Sequence, residues 1–250
     1  MISLNKLSMG VFNDTQGFAT NQKNVENSQL EKLDLKTIIQ TNFPDDQYVK
    51  EQTNKTQIVL HHTVSGPNAD NVVSWWLSTP DKIATAMVVD TNGRVIQNFS
   101  SKYWAWHLGI KTIENTPRNK GSVGVEMVAW GGLVNYRDNW YPAIWDAKLK
   151  KNVANIKVKP IVNVQVYDKQ FRGFYGFEKY SDAQIEAVRK LLIFWNEKYG
   201  IPLDYNPTMW DLSRDALGGK PGIWTHVSYR LDKSDCHPQP ELIQMLQSLK

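Results

Sequence analysis

Cysteine occurs once in the 250 residues, at Cys236, so no internal disulfide can form and the redox compartment stays open. No apolar run is long enough to cross a bilayer. The opening residues, 1–16, hold no apolar core of signal-peptide length. This predicts a chain made in the cytoplasm without a Sec leader. An excess of one charge is also missing: 29 Lys and Arg stand against 25 Asp and Glu, for a net charge of +4. The cations are scattered and form no block, which argues against a nucleic-acid-binding tail. So mild a positive bias suits an anionic polymer. Internal repeats and low-complexity tracts are absent.

Hydrophobic residues at 41% and charged residues at 22% are ordinary for a globular chain. The length fits one large domain, or one of roughly 150–200 residues with an appendage. Tryptophan is abundant at 10 residues. Its flat rings fill cores and also stack on sugars. Residues 1–43 are rich in Asn, Gln, Ser and Thr, contain no Trp, and read as a partly flexible N-terminal extension. An amphipathic stretch within it, Leu30 to Ile39 with Ser28 near its start, predicts a helix that Pro44-Asp45-Asp46 breaks. The remainder, 44–250, reads as one domain.

Gln57 to His62 is an apolar run suited to a buried strand. Asp70 is expected to cap a helix holding Val72, Val73, Trp75 and Trp76. Thr85–Asp90 and Arg94–Phe99 read as strands joined by the turn Thr91-Asn92-Gly93. Ser122 to Ala129 is a further strand, ended by Gly131-Gly132. Residues 133–180 carry few signals and read as an insertion: Asn163–Tyr167 alternates like a strand, and Phe171–Tyr180 is aromatic and loop-like. Ser181 and Gln184 form a capping box for a helix with Ile185, Val188, Leu191, Leu192 and Trp195 on one face, stopped by Gly200 and Pro202. A last helix follows Pro240 with Leu242, Ile243 and Leu246. Strands interleaved with helices give an α/β or α+β sheet domain.

Five histidines, His61, His62, His107, His226 and His237, are the chemically suggestive residues. Two end the first strand and His237 follows Asp235 and Cys236 late in the chain. A catalytic zinc takes three protein ligands and leaves one position open. His61, His226 and one residue of Asp235-Cys236-His237 could supply them, although a histidine at a strand end is often only packed. Glu126 interrupts an apolar strand; it is either a solvent-facing strand residue or a general base with a raised pKa facing a cleft. Lys233 is either part of a solvated charged loop or an oxyanion stabiliser beside a metal.

Four segments in order resemble the type 2, zinc-dependent N-acetylmuramoyl-L-alanine amidases, the superfamily that includes amidase-type phage lysozymes and peptidoglycan recognition proteins. They are Ile58-Val59-Leu60-His61-His62-Thr63, Trp104-Ala105-Trp106-His107-Leu108-Gly109, Ser122-Val123-Gly124-Val125-Glu126, and Thr225-His226 with Lys233-Ser234-Asp235. The similarity spans about residues 47–248. It implies a central mixed β-sheet flanked by helices, with zinc in a surface groove at strand ends. The implied reaction is hydrolysis of the amide between N-acetylmuramic acid and L-alanine in peptidoglycan. Carried over, His61, His226 and Asp235 hold Zn2+. Glu126 moves the proton of the attacking water, Lys233 shares the oxyanion charge, and Trp106 and His107 border the substrate groove.

The chain departs from the family pattern in two places. Proline usually follows the third ligand directly, and here Asp235-Cys236-His237-Pro238 leaves three options; Lys-x-Asp favours Asp235, with Lys233 and Asp235 on one side of an extended loop. His62 is expected to point away from His61 in a regular strand. Where many members carry a His-Tyr pair, this chain reads Thr85-Ala86-Met87-Val88. Two other functions compete: a non-catalytic peptidoglycan-binding module, and a cytoplasmic amidase recycling soluble muropeptides. Without a Sec leader, a lytic enzyme would reach the wall after release, as a phage endolysin, or after delivery by a contractile injection system. Residues 1–43 are then a segment for docking a protein partner.

Overall fold

Alternating apolar runs and amphipathic helices build two sheets and their covering helices in the computed structural model. It describes residues 33–34, 37–41, 43–66 and 68–249. The chain divides into two units, Met1–Asp34 and Leu35–Lys250, and the second carries all that follows. Half of the helix expected over Leu30 to Ile39, residues 30–32 and 35–36, lies outside the described residues. Its end does not: Ile39–Gln40 is a short strand, β1.

The central sheet has six strands in the order β1-β4-β3-β5-β2-β11. Here β2 is Gln57–His62, β3 Met87–Val89, β4 Val95–Gln97, β5 Ser122–Met127 and β11 Gly222–Thr225. The pairings β5–β2, β2–β11, β3–β5 and β1–β4 are parallel and β3–β4 is antiparallel, so the sheet is mixed. All six residues of β2 are buried, which is why that segment reads as an unbroken apolar run. The hairpin joining β3 and β4 turns at Gly93, whose φ of +82° suits glycine.

Helix α1 spans Ala69–Ser78 and is capped by Asn68, not Asp70: the Asn68 side chain accepts the Asp70 backbone N–H at 2.8 Å. The Asp70 carboxylate instead pairs with Arg94. A short helix α2, Asn115–Gly121, leads directly into β5. Helix α3, Asp182–Tyr199, has the expected Ser181–Gln184 capping box and ends at Gly200 in the left-handed region. Gln184 also donates to the carbonyl of Val128 at 2.9 Å, so the cap residue fastens the helix to the chain leaving β5. Helices α4, Arg214–Gly218, and α5, Pro240–Ser248, complete the unit; Met245, not Ile243, joins Leu242 and Leu246 in the core. No described helix is long and apolar enough to cross a membrane.

The signal-poor region forms a second sheet, ordered β8-β7-β6-β10-β9 and wholly antiparallel. Its strands are β6 Gly132–Tyr136, β7 Asn139–Asp146, β8 Lys151–Ala154, β9 Val164–Phe171 and β10 Phe174–Glu178. The loop expected over Phe171–Tyr180 is therefore corrected: most of it is a strand. Gly176 disguises it, because the Trp140 ring occupies the place of a side chain there, 2.5 Å from where a Cβ would stand.

Candidate active site

The C-terminal ends of β2 and β5 lie side by side, and register places His61 opposite Glu126. In parallel strands such partners share a face, so both side chains emerge on the same side of the sheet. His62, one residue on, points the other way, as alternation predicts. Its Nδ1 meets the Tyr180 hydroxyl at 2.8 Å.

The chain after β11 brings the remaining groups. His226 begins a short 3-10 turn directly after the strand, and Asp235 returns to it: the Val227 N–H donates to the Asp235 carbonyl at 3.0 Å. His61, His226 and Asp235 form the metal-competent cluster found among the described residues. The two Nδ1 atoms stand 3.1 Å apart, and Asp235 Oδ2 lies 3.1 Å from His61 Nδ1 and 2.8 Å from His226 Nδ1. All three residues are buried.

The bonding network sets the tautomers. The Ser122 hydroxyl donates its only proton to the Arg118 carbonyl at 2.7 Å. It is then an acceptor for His107 Nε2–H at 2.9 Å. That leaves His107 Nδ1 bare, to accept from His61 Nε2–H at 2.9 Å. His61 Nδ1 is in turn left with its lone pair facing the cluster. His226 reaches the same state by donating Nε2–H to the Leu108 carbonyl at 2.8 Å. Two bare ring nitrogens and a carboxylate oxygen converging this closely repel one another unless a cation lies among them. The donor set therefore fits a metal ion, with its outer ring nitrogens held as metal-ligating histidines require.

Burial, with the nearby His226 adding to it, pushes the His61 pKa down to about 4 and keeps the ring neutral at pH 7. Burial works to raise the Asp235 pKa, but His226 and His61 outweigh it and hold the carboxyl well below its usual range. Glu126 goes the other way. Burial, reinforced by the Asp235 charge, raises it well above the usual carboxylate range, and its Oε2 is inaccessible and unpartnered. A carboxyl held above its usual range is suited to taking up and returning a proton. Glu126 lines the cleft and does not sit on a solvent face of the sheet.

The cluster and Glu126 line a cleft of about 630 Å³. Lys233 and His107 line it too, with Trp75, Trp76 and Ile83 forming an apolar wall. Trp75 is 59% exposed. From sequence it reads only as a helix residue; its place off the buried stripe of α1 is the available signal. Trp106 stands outside the lining, edge-on to Trp104 with centroids 5.0 Å apart. His107 borders the groove, but both its ring nitrogens are spent on His61 and Ser122, so its polar atoms orient a neighbour. His237 lies away from the cluster. It stacks on Phe177 at 4.6 Å, accepts from the Tyr167 hydroxyl at 2.8 Å and donates to the Glu178 carbonyl at 3.1 Å. Cys236 is buried, and burial holds its thiol well above the usual range. Thr85, in place of the His-Tyr pair, lines the cleft and turns its hydroxyl to the Met87 carbonyl.

No curated protein matches the chain. Among solved structures, PlyL superposes with a TM-score of 0.46 at 17% identity, covering 85% of this chain and 96% of that one. The endolysin amidase LysCS from Clostridium intestinale URNW gives 0.43 at 11% identity, with 85% and 96% covered. The Staphylococcus aureus hydrolase AmiA gives 0.44 at 15%, with 92% and 88% covered. The family model for N-acetylmuramoyl-L-alanine amidases matches residues 51–240. That span contains every residue of the cluster together with Glu126 and Lys233, and the chain belongs to the N-acetylmuramoyl-L-alanine amidase family.

Proposed function

We propose that this peptidoglycan amidase works with a zinc ion held by His61, His226 and Asp235. The observation that carries the reading is the convergence of their three buried donor atoms at the edge of a cleft, beside an unpartnered carboxyl. When bound, zinc supplies a Lewis acid and lowers the pKa of a water ligand. The residues of the chain do the rest. Glu126 takes a proton from the attacking water and returns it to the departing L-alanine amine. The Lys233 cation lies along the cleft to meet the negative charge that grows on the carbonyl oxygen. His107 and the Leu108 carbonyl hold the two imidazoles in their ligating tautomers. Trp75, Trp76 and Ile83 offer an apolar wall for the substrate and keep water from one side of the cleft.

This reading favours the enzyme over a binding module, because the ligand set and both proton- and charge-handling groups are intact. The test is a digest of purified peptidoglycan and of soluble muropeptides, read by mass spectrometry. The expected products are stem peptides beginning at L-alanine and peptide-free glycan, both lost on chelation and restored by zinc. Faster cleavage of the polymer would favour action on the wall after release or delivery, and faster cleavage of muropeptides would favour recycling. Tight wall binding without turnover by zinc-loaded protein would overturn the catalytic reading.

A further inference from the structure

The five-stranded sheet contributes no residue to the catalytic cleft, but a groove of about 530 Å³ opens on it. Trp140, Trp145 and Tyr175 line this groove. Trp140 is half-buried against Gly176, while Trp145 and Tyr175 stand exposed. Large rings left in water beside one another mark a contact surface. Register sets amides next to the indoles. Asn135 pairs with Trp140 across β6 and β7, and Asn152 pairs with Trp145 across β8 and β7. Directly opposed residues of antiparallel strands share a face, so each indole has a carboxamide as its neighbour. Gln170 adds a third amide to the lining. All three are exposed, and none has its side chain hydrogen-bonded within the described residues. Their donors and acceptors stand open to a ligand.

Charge narrows the ligand further. Among the described residues, Lys151 is the one charged group lining the groove, and no carboxylate lines it. From Gly132 to Glu178, eight Lys and Arg stand against four Asp and Glu, a surplus equal to the +4 of the whole chain. Arg172 alone of these cations is held in an ion pair. A cationic ligand is therefore disfavoured. An acyl chain or an apolar protein surface would leave three covered amides without partners, at a cost for each. A nucleic-acid strand would stack on the rings, but its phosphates would find a single cation in the groove. An N-acetylated pyranose answers both features. Its C–H face lies on an aromatic ring, and its hydroxyl and acetamido groups give and take hydrogen bonds with carboxamides.

We propose that this groove is a glycan-binding site separate from the catalytic cleft, in which Trp145, Tyr175, Asn152 and Gln170 hold the N-acetylated sugar strand of peptidoglycan. The choice of polymer rests on the amidase reading above. The cation surplus of the same sheet suits the anionic groups that the polymer carries. The sheet then keeps the enzyme on the strand while the metal cleft cuts stems from it.

The test is calorimetry on the full-length protein with three probes: tetra-N-acetylchitotetraose, which has no stem-peptide amide to be cut; cellotetraose, which lacks acetamido groups; and a thymidine oligonucleotide. The acetylated tetramer should bind saturably, and the other two about tenfold more weakly or not at all. Trp145→Ala and Asn152→Ala should each weaken the tetramer about tenfold, and Trp145→Tyr, which keeps a ring, should recover part of the loss. Melting temperatures of these variants should stay close to wild type, because both side chains are exposed; that readout separates lost binding from lost folding. No saturable binding, full affinity in both alanine variants, equal affinity for cellotetraose, or tighter binding of the oligonucleotide would each overturn the site. So would affinity lost in Trp75→Ala and kept in Trp145→Ala, which would move the sugar to the catalytic cleft. Cleavage in the peptidoglycan digest without tetramer binding would remove this site alone. Tetramer binding without cleavage would remove the catalytic reading alone.

Discussion

Every residue of β2 in the six-stranded sheet is buried, whereas no residue of β9 in the five-stranded sheet is. The same contrast divides their chemistry. Near the ends of the parallel strands β2 and β5 and just after β11 stand His61, Glu126 and His226; the two histidines are buried with defined hydrogen-bond partners, and Glu126 faces the cleft with an unpartnered oxygen. The antiparallel sheet displays Trp145, Tyr175 and Val166 to solvent at 64%, 50% and 53% exposure. A strand sealed on both faces has one acceptable composition, and a polar residue within it signals a task. A strand with a free face tolerates much more, so its sequence says less.

The largest expected effect sharpens the contrast on the catalytic side. Glu126→Gln should reduce turnover on peptidoglycan by about 10²- to 10⁴-fold, the range for a general base. Its melting temperature should hold, because the buried Oε2 has no partner to lose. Steady-state rates and thermal melts check both. Next come paired tryptophans. Trp224 in β11 is 1% exposed and donates to the Lys220 carbonyl at 3.0 Å, so Trp224→Ala should cost about 3–5 kcal/mol. Trp145→Ala in β7 should change stability by no more than about 0.5 kcal/mol. Denaturant titration of both would break the comparison if the two losses were similar.

How far the sequence was legible follows the same line. β2, β5 and the capping box of α3 could be read because burial or capping chemistry leaves few alternatives. His61, Glu126, His226 and Asp235 stood out as polar groups at strand ends or in a motif-bearing loop. β10 is hidden by its glycine, since the Trp140 packing that justifies Gly176 is a contact between distant residues. The Asn68 cap lost to Asp70 on sequence because both are good capping residues and only geometry separates them. The role of His107 was invisible for a deeper reason. It depends on Ser122 giving its proton to Arg118, and no spacing rule reports where a hydroxyl points.

That relay gives the next prediction. Ser122→Ala removes the acceptor that fixes the His107 tautomer, and His107→Phe removes the partner of His61 Nε2. Each should weaken zinc binding about 10- to 100-fold, measured by competition with a chromogenic chelator. Affinity unchanged in both would remove the orienting role.

Acid should act on the buried histidines. His61 and His62 are held at about 4 in the folded chain against an ordinary value near 6.5. Between those values the unfolded chain binds more protons, so the stability of metal-free protein should fall as pH drops from about 6.5 to about 4. Glu126 opposes this, because its raised pKa favours the folded state at low pH and loses that contribution as pH rises. With His107 and His237 also lowered, the histidines outnumber it and acid loss should prevail. Denaturation midpoints across that range give the sign.

The central claim is that His61, His226 and Asp235 form the metal cage, and that the neighbouring Cys236 and His237 do not. Elemental analysis of purified wild type, Asp235→Ala and His237→Ala, each loaded with zinc and desalted, tests it most directly. The account predicts one zinc per chain in the wild type and in His237→Ala, and loss of zinc in Asp235→Ala. Zinc retained in Asp235→Ala and lost in folded His237→Ala would contradict it.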